Sequence, residues 1–351
     1  MKFEKRKLAD AEMGYAVSRF DVLGRQRLVV ASEDSGPALV FSGREMKPQV
    51  ISSSPGGSMG FAAVPGRDDA LFMIAGFYPI FRGEAAGVTL IRAVNRFDEP
   101  WTGERIAELP FVHRISSVST NGGDFLVGAT ICGGKDSQDD WSRPGAVYAF
   151  EIGADQSLGP PATILPDIHR NHGMALGSFR GVRSLLISSD EGVFALAFPG
   201  EADPDGHEVN PWETSVILDH AVSEIAQFDF DSDGVDELAV IEPFHGDELA
   251  VYKDERGTWN KIFSAKLEFG HGLSAGMLLG QPVIVVGNRV GTKDLVCFRF
   301  RTGDPIVAER EVVEMRTGTA GTTIIETPWG EGIAASNPEN REYAFYVAKR
   351  E

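Results

Sequence analysis

The chain has 351 residues, 42% of them hydrophobic and 24% charged, with a formal net charge of −18 and a pI near 4.8. This composition excludes a disordered chain, and the negative field makes nucleic acid and anionic membrane poor partners. The basic residues of the start are followed by no uninterrupted apolar segment, and no 18-residue apolar run occurs anywhere, so neither a secretory signal nor a transmembrane helix is expected and the location is read as cytoplasmic. Forty glycines and 19 prolines recur at intervals, as turns between many short strands require. The two cysteines, Cys132 and Cys297, sit in apolar or glycine-rich strand contexts and are expected as buried free thiols.

In chain order the sequence repeats one pattern. A ten-residue window starts at Tyr15 (YAVSRFDVLG), and comparable windows start at Gly57, His113, His172, His220 and His271. Each window is followed by an apolar run, such as RLVVAS, ALFMIAG or SLLISS, then a polar loop and a third run, such as ALVFSG, GVTLIRA or GVFALAF. A seventh copy is recognisable in GEGIAAS and EYAFYVA, its first strand placed near residue 320. Tryptophans mark several fourth runs, as in TWNKIFSAKL. Seven units of about 50 residues fill the chain, which is the spacing of propeller blades. The last copy supplies three strands only, and the N-terminal MKFEKRKLA has the pattern of a fourth. The expected fold is therefore all-β: a single seven-bladed β-propeller over residues 1–351, with four-stranded blades and residues 2–8 completing the last blade so that the ring has no free edge. Inner strands are expected to start near residues 15, 57, 113, 172, 220, 271 and 320.

Within the fifth unit, FDFDSDGVDELAVI places Asp229, Asp231, Asp233 and Gly234 as an EF-hand loop would. The bidentate glutamate such a loop needs at its twelfth position is replaced by Val240, and the flanks alternate as strands do, so it is not an EF-hand. Alternate carboxylates at Asp229, Asp231 and Asp233, the carbonyl of Val235 and the carboxylate of Glu237 can still wrap a calcium ion. This pattern resembles the FG-GAP/VCBS repeat, a calcium-loop signature of propeller blades. The loop joins the first and second strands of its blade, so the calcium is expected on the face opposite the window starts and is read as structural.

The window starts share one mouth of the central channel. His113, His172, His220 and His271 occupy equivalent places on four consecutive blades, with Tyr15 and Gly57 in the matching slots, and His245 lies on a loop of the same face. Imidazoles converging from separate strands suit a divalent transition metal or magnesium, with a spare one free to act as a base. Loops of that face offer Tyr78, Arg82, Glu84, Trp141, Phe244 and Arg289 to a small polar ligand. No G-x-S-x-G elbow, P-loop or dinucleotide fingerprint is present. A propeller with a histidine-rich channel resembles the propeller domain of aldos-2-ulose dehydratase. That resemblance implies a metal-assisted lyase or dehydratase acting on a keto-sugar or similar small carbohydrate, in which His220 or Tyr15 takes the α-proton and His245 protonates the departing oxygen. The alternative is a non-catalytic propeller that binds a protein or glycan through its face loops.

Overall fold

The computed structural model describes residues 1–53, 55–79, 82–93, 101–301 and 307–350. They form seven four-stranded antiparallel sheets, six with their strands in sequential order from the inside out and the seventh completed on its outside by the N-terminal strand. The inner strands are Gly14–Val22, Phe61–Ala63, Val112–Thr120, Met174–Phe179, Ile225–Phe228, Gly270–Leu278 and Gly321–Thr327. Five begin within two residues of their expected starts. The second and fifth begin four and five residues late (61 against 57, 225 against 220), because their windows open with a link that crosses from the preceding blade before the strand forms.

Middle strands are apolar on both sides. Ala70–Ala75 and Glu237–Glu242 are buried at every position. A blade is a sheet sandwiched between two neighbouring sheets, so its middle strands have no solvated face and lose the usual alternation. The cores accordingly lie between blades. One joins Leu238, Val240 and Ala250 of the fifth blade to Leu186, Val193 and Ala195 of the fourth, and another joins Val283, Val285 and Cys297 of the sixth to Ile333, Ala335 and Ala344 of the seventh. Cys132 and Cys297 are both buried free thiols.

The ring closes through the N-terminus. Lys2–Asp10 pairs antiparallel with Glu342–Lys349, from Lys2 opposite Lys349 to Asp10 opposite Glu342, as the outer strand of the seventh blade. It also reaches the sixth blade: the Met1 ammonium lies 2.8 Å from Glu311, and Lys5 lies 2.8 Å from Glu314. No helix among the described residues is long and apolar enough to cross a membrane.

Candidate active site

The channel mouth is assembled from residues at the starts of inner strands and from the loops between second and third strands. Tyr15 comes from the first blade, His113 and Arg114 from the third, His172 from the fourth, Glu224 from the fifth and His271 from the sixth. In the second blade the matching slot holds Gly57. Its φ of +59° favours glycine, and a Cβ there would lie 2.7 Å from the backbone of Phe77, so no side chain fits. His245 enters from the loop between Glu237–Glu242 and Glu248–Glu255, held in the left-handed region at φ +48°. Gly246, which follows it, packs so closely against the Glu242 carbonyl that a side chain is excluded.

His172 is the centre of the group. Its ring centroid is 4.7 Å from His245, 4.8 Å from His271 and 4.8 Å from His113. The ligating nitrogens of His172, His245 and His271 all lie within 4.8 Å of one another. The partners fix one tautomer: His271 Nδ1–H donates to the Ala320 carbonyl at 2.8 Å, while His172 Nδ1 lies 2.6 Å from Glu224 Oε1 and 3.4 Å from the Arg114 guanidinium. His271 therefore keeps Nε2 as a lone pair, and His172 Nε2 lies 3.2 Å from His245 Nε2 and 3.3 Å from the Tyr15 hydroxyl. A carboxylate or carbonyl behind each imidazole is the arrangement that orients metal-binding histidines. The donor set fits a first-row divalent cation, with all three ligands from the protein on one side.

Electrostatics keep these rings in the form a cation needs. Burial pushes the His113, His172 and His271 imidazoles well below the ordinary histidine range, with the Arg114 charge adding to the effect on His113 and His172. Burial lowers His245 to about 2. All four are neutral near pH 7, so no proton has to leave before a metal binds. Arg114 and Glu224 neutralise one another through a 2.6 Å ion pair. Tyr15 Oη lies 3.2 Å from His113 Nε2 and 3.3 Å from His172 Nε2, and burial raises its phenol to about 12.

These groups face a cavity of about 350 Å³ walled by Met13, Met59, Phe77, Ile131 and Phe269 and closed by Tyr15, Glu33, His113, His172, His245, His271 and Arg289. Glu33 is 7% exposed and its carboxyl makes no hydrogen bond or ion pair among the described residues. Burial raises it to about 7, against the opposing pull of Arg289. A carboxyl poised there is half-ionised at neutral pH and can both take and give a proton.

The remaining expected residues divide. Phe244 stacks on His245 at 3.9 Å, and Trp141 meets Phe244 edge-on at 5.9 Å beneath the Lys135 ammonium, 3.1 Å above its ring. Tyr78, Arg82 and Glu84 are exposed and outside the cavity wall. Two histidines are corrected from the metal set, and His245, expected as the acid, stands in it instead. His113 is engaged by Tyr15 and Arg114 and lies outside the ligand cluster. His220 bonds Glu242 Oε2 at 2.8 Å and the Tyr252 hydroxyl at 3.3 Å and does not line the cavity. The fifth inner strand has only four residues, so His220 lies on the preceding link and Glu224 takes the channel-facing place.

At the opposite face, Asp229, Asp231 and Glu237 bring carboxylate oxygens within 4.8 Å of one another. Asp229 accepts hydrogen bonds from the backbone of Asp233 and Gly234, and Asp233 accepts one from the Val235 amide. Glu237 Oε1 is buried without a hydrogen bond, an acceptor that a hard cation would satisfy. Lys253 competes for the same place. Its ammonium pairs with Asp231, lies 2.6 Å from Asp233 and 3.2 Å from Glu237, and is raised above the ordinary lysine range by these carboxylates, against its own burial. The carboxylates fit calcium on condition that the lysine swings away.

No family model matches the chain, and no curated protein sequence matches it. Among solved structures it is similar to BBS1N in complex with ARL6DN. The lead-soaked crystal gives a TM-score of 0.60 at 11% identity, over 100% of this chain and 97% of that one, and the mercury-soaked crystal gives 0.56 at 12%, over 99% and 97%. It is also similar to a putative gluconolactonase, with a TM-score of 0.49 at 12% identity over 98% and 92%. At such identities the likeness shows the fold alone.

Sequence reasoning missed Glu33, Arg114 and Glu224. Arg114 and Glu224 sit one residue after and four residues after the window starts at His113 and His220, and that adjacency is the signal that would have found them. Glu33 belongs to a loop, EDSG, indistinguishable by composition from solvated surface.

Proposed function

We propose that the channel mouth is the active site of a metal-assisted carbon–oxygen lyase acting on a small keto-sugar or related carbohydrate. One observation carries the reading: three neutral imidazoles converge within ligand distance of one another on a cavity that also holds a buried carboxyl without a hydrogen bond. A divalent cation held by His172, His245 and His271 would supply Lewis acidity at the substrate carbonyl.

The chain's own groups suit the proton transfers of a β-elimination. Ionised Glu33 takes the proton from the carbon α to the carbonyl, that C–H pair becomes the new C=C bond, and the β-hydroxyl leaves with its bonding pair. Tyr15 stays protonated at neutral pH and donates to the departing hydroxyl, which leaves as water. Glu33 ends the step protonated and Tyr15 as the phenolate, and exchange of one proton with solvent restores both, while His113 Nε2, 3.2 Å from the phenol oxygen, orients it. Arg114 holds the ring of His113 by donating to its Nδ1 at 3.1 Å and fixes Glu224 behind His172, so it positions rather than reacts. The apolar wall excludes water and strengthens these interactions. A binding platform would leave an unpaired carboxyl buried in its channel to no purpose, at a cost in stability.

The test is α-proton exchange with deuterated solvent and loss of water, followed by NMR, on a panel of 2-keto-sugars with manganese-loaded protein. Exchange with wild type, reduced by about 10²–10⁴ in Glu33→Gln, is the expected result. Exchange undiminished in both Glu33→Gln and a His172→Ala/His271→Ala variant would overturn the reading.

A further inference from the structure

Among the described residues, Arg289 is a cation of the channel without an ion-pair partner. Arg114 is neutralised by Glu224, which also lies 2.6 Å from His172 Nδ1, and burial keeps the four cavity imidazoles neutral. Arg289 follows the second strand of the sixth blade, Gln281–Asn288, and lines the cavity in a half-buried position. Its guanidinium makes no hydrogen bond, ion pair or ring contact among the described residues. Its charge nonetheless reaches the cavity groups, acting on Glu33, His172, His245 and His271. Glu33 faces the same cavity and is not within ion-pair distance of it.

A guanidinium has five N–H donors in a rigid fork, and leaving them half-desolvated and unpaired is unfavourable unless a ligand completes them. The complement of that fork is a carboxylate bound through two parallel hydrogen bonds. The cavity volume of about 350 Å³ lies at the small end of ligand sites and accommodates one monosaccharide unit at the channel mouth. The wall sets the rest, since Met13, Met59 and Phe269 suit the C–H face of a sugar and not a second charge. We infer that the ligand of this site is a monosaccharide-sized sugar acid whose carboxylate is held by Arg289. This deepens the proposed lyase reading, and rests on it for the sugar class but not for the carboxylate. The chain's net charge of −18 sets no barrier to a single anion once the local field at the site is positive.

The test uses matched pairs that differ in one group: 2-keto-D-gluconate against D-fructose, and D-galacturonate against D-galactose. Binding is measured by calorimetry and thermal shift, with and without manganese, on wild type, Arg289→Gln and Arg289→Lys. The expected result is that at least one acid binds at least tenfold more tightly than its neutral partner. Its affinity falls about 10–100-fold in Arg289→Gln, less in Arg289→Lys, and falls with added salt. Melting curves of the variants matching wild type show that the loss is not one of fold. Neutral sugars binding as tightly as their acids, or an acid binding unchanged in Arg289→Gln, would overturn the inference. An acid that binds through Arg289 but never exchanges its α-proton leaves this inference standing and removes the lyase; turnover of a neutral keto-sugar alone does the reverse.

Discussion

Glu33 gives the account its sharpest thermodynamic handle. Its carboxyl stands near 4.5 in the unfolded chain and at about 7 in the folded one, because burial penalises the charged form. Folding therefore favours the proton: the contribution to stability is fully present below about pH 4.5 and is lost as the pH rises through about 7. A difference of about 2.5 units corresponds to ~3 kcal/mol, of which ~2 kcal/mol falls between about pH 5.5 and about pH 8.5. Glu33→Gln keeps the shape and cannot ionise. Its buried amide costs something at every pH, so the readable quantity is the slope and not the offset. Subtracting the variant from wild type also removes the other buried titrating groups, Glu224 among them, which are common to both. With ~2.1 cal/mol/K of unfolding entropy per residue, the two melting curves should converge or diverge by about 3 °C across that interval, wild type losing ground as the pH rises. Differential scanning calorimetry at several pH values decides it. Parallel pH profiles for the two proteins would mean that Glu33 titrates as an ordinary surface carboxyl, and its role as the cavity's base would go with it.

Lys253→Gln removes the ammonium from the acidic loop of the fifth blade. Calcium should then bind more tightly and raise the melting temperature more than it does in wild type, as isothermal titration would measure; equal affinities would mean that the lysine does not compete for the site. Deleting residues 1–10 removes the eight-residue register with Glu342–Lys349 and leaves that strand as a bare edge. The shortened protein should melt well below wild type and associate, read by light scattering after size exclusion. A monomer of unchanged stability would show that ring closure contributes little.

The seven blades were legible because their middle strands are buried on both faces, which makes runs such as ALFMIA stand out between glycine-marked turns. The closing strand was legible for a related reason: an outer strand is half-solvated wherever it lies in the chain, so MKFEKRKLA carried the mark of its place. Tyr15, His113, His172 and His271 came together as their register required. His220 did not, because hydrophobic pattern locates a strand but not the length of the link before it, and the fifth inner strand is short. Lys253 was invisible for want of pairing: only the register that sets Leu238 opposite Tyr252 brings it beside Glu237. The importance of Glu33 lies entirely in its burial, which no local sequence feature reports.

The central claim is that His172, His245 and His271 hold one divalent cation at the channel mouth. Cobalt(II) titration followed by its visible d–d spectrum tests this without requiring turnover. Wild type should take up about one equivalent with bands of nitrogen coordination, and His172→Ala/His271→Ala should lose that spectrum while keeping its strand signature in circular dichroism. The same spectrum in the folded double variant, or none in wild type, would contradict the account.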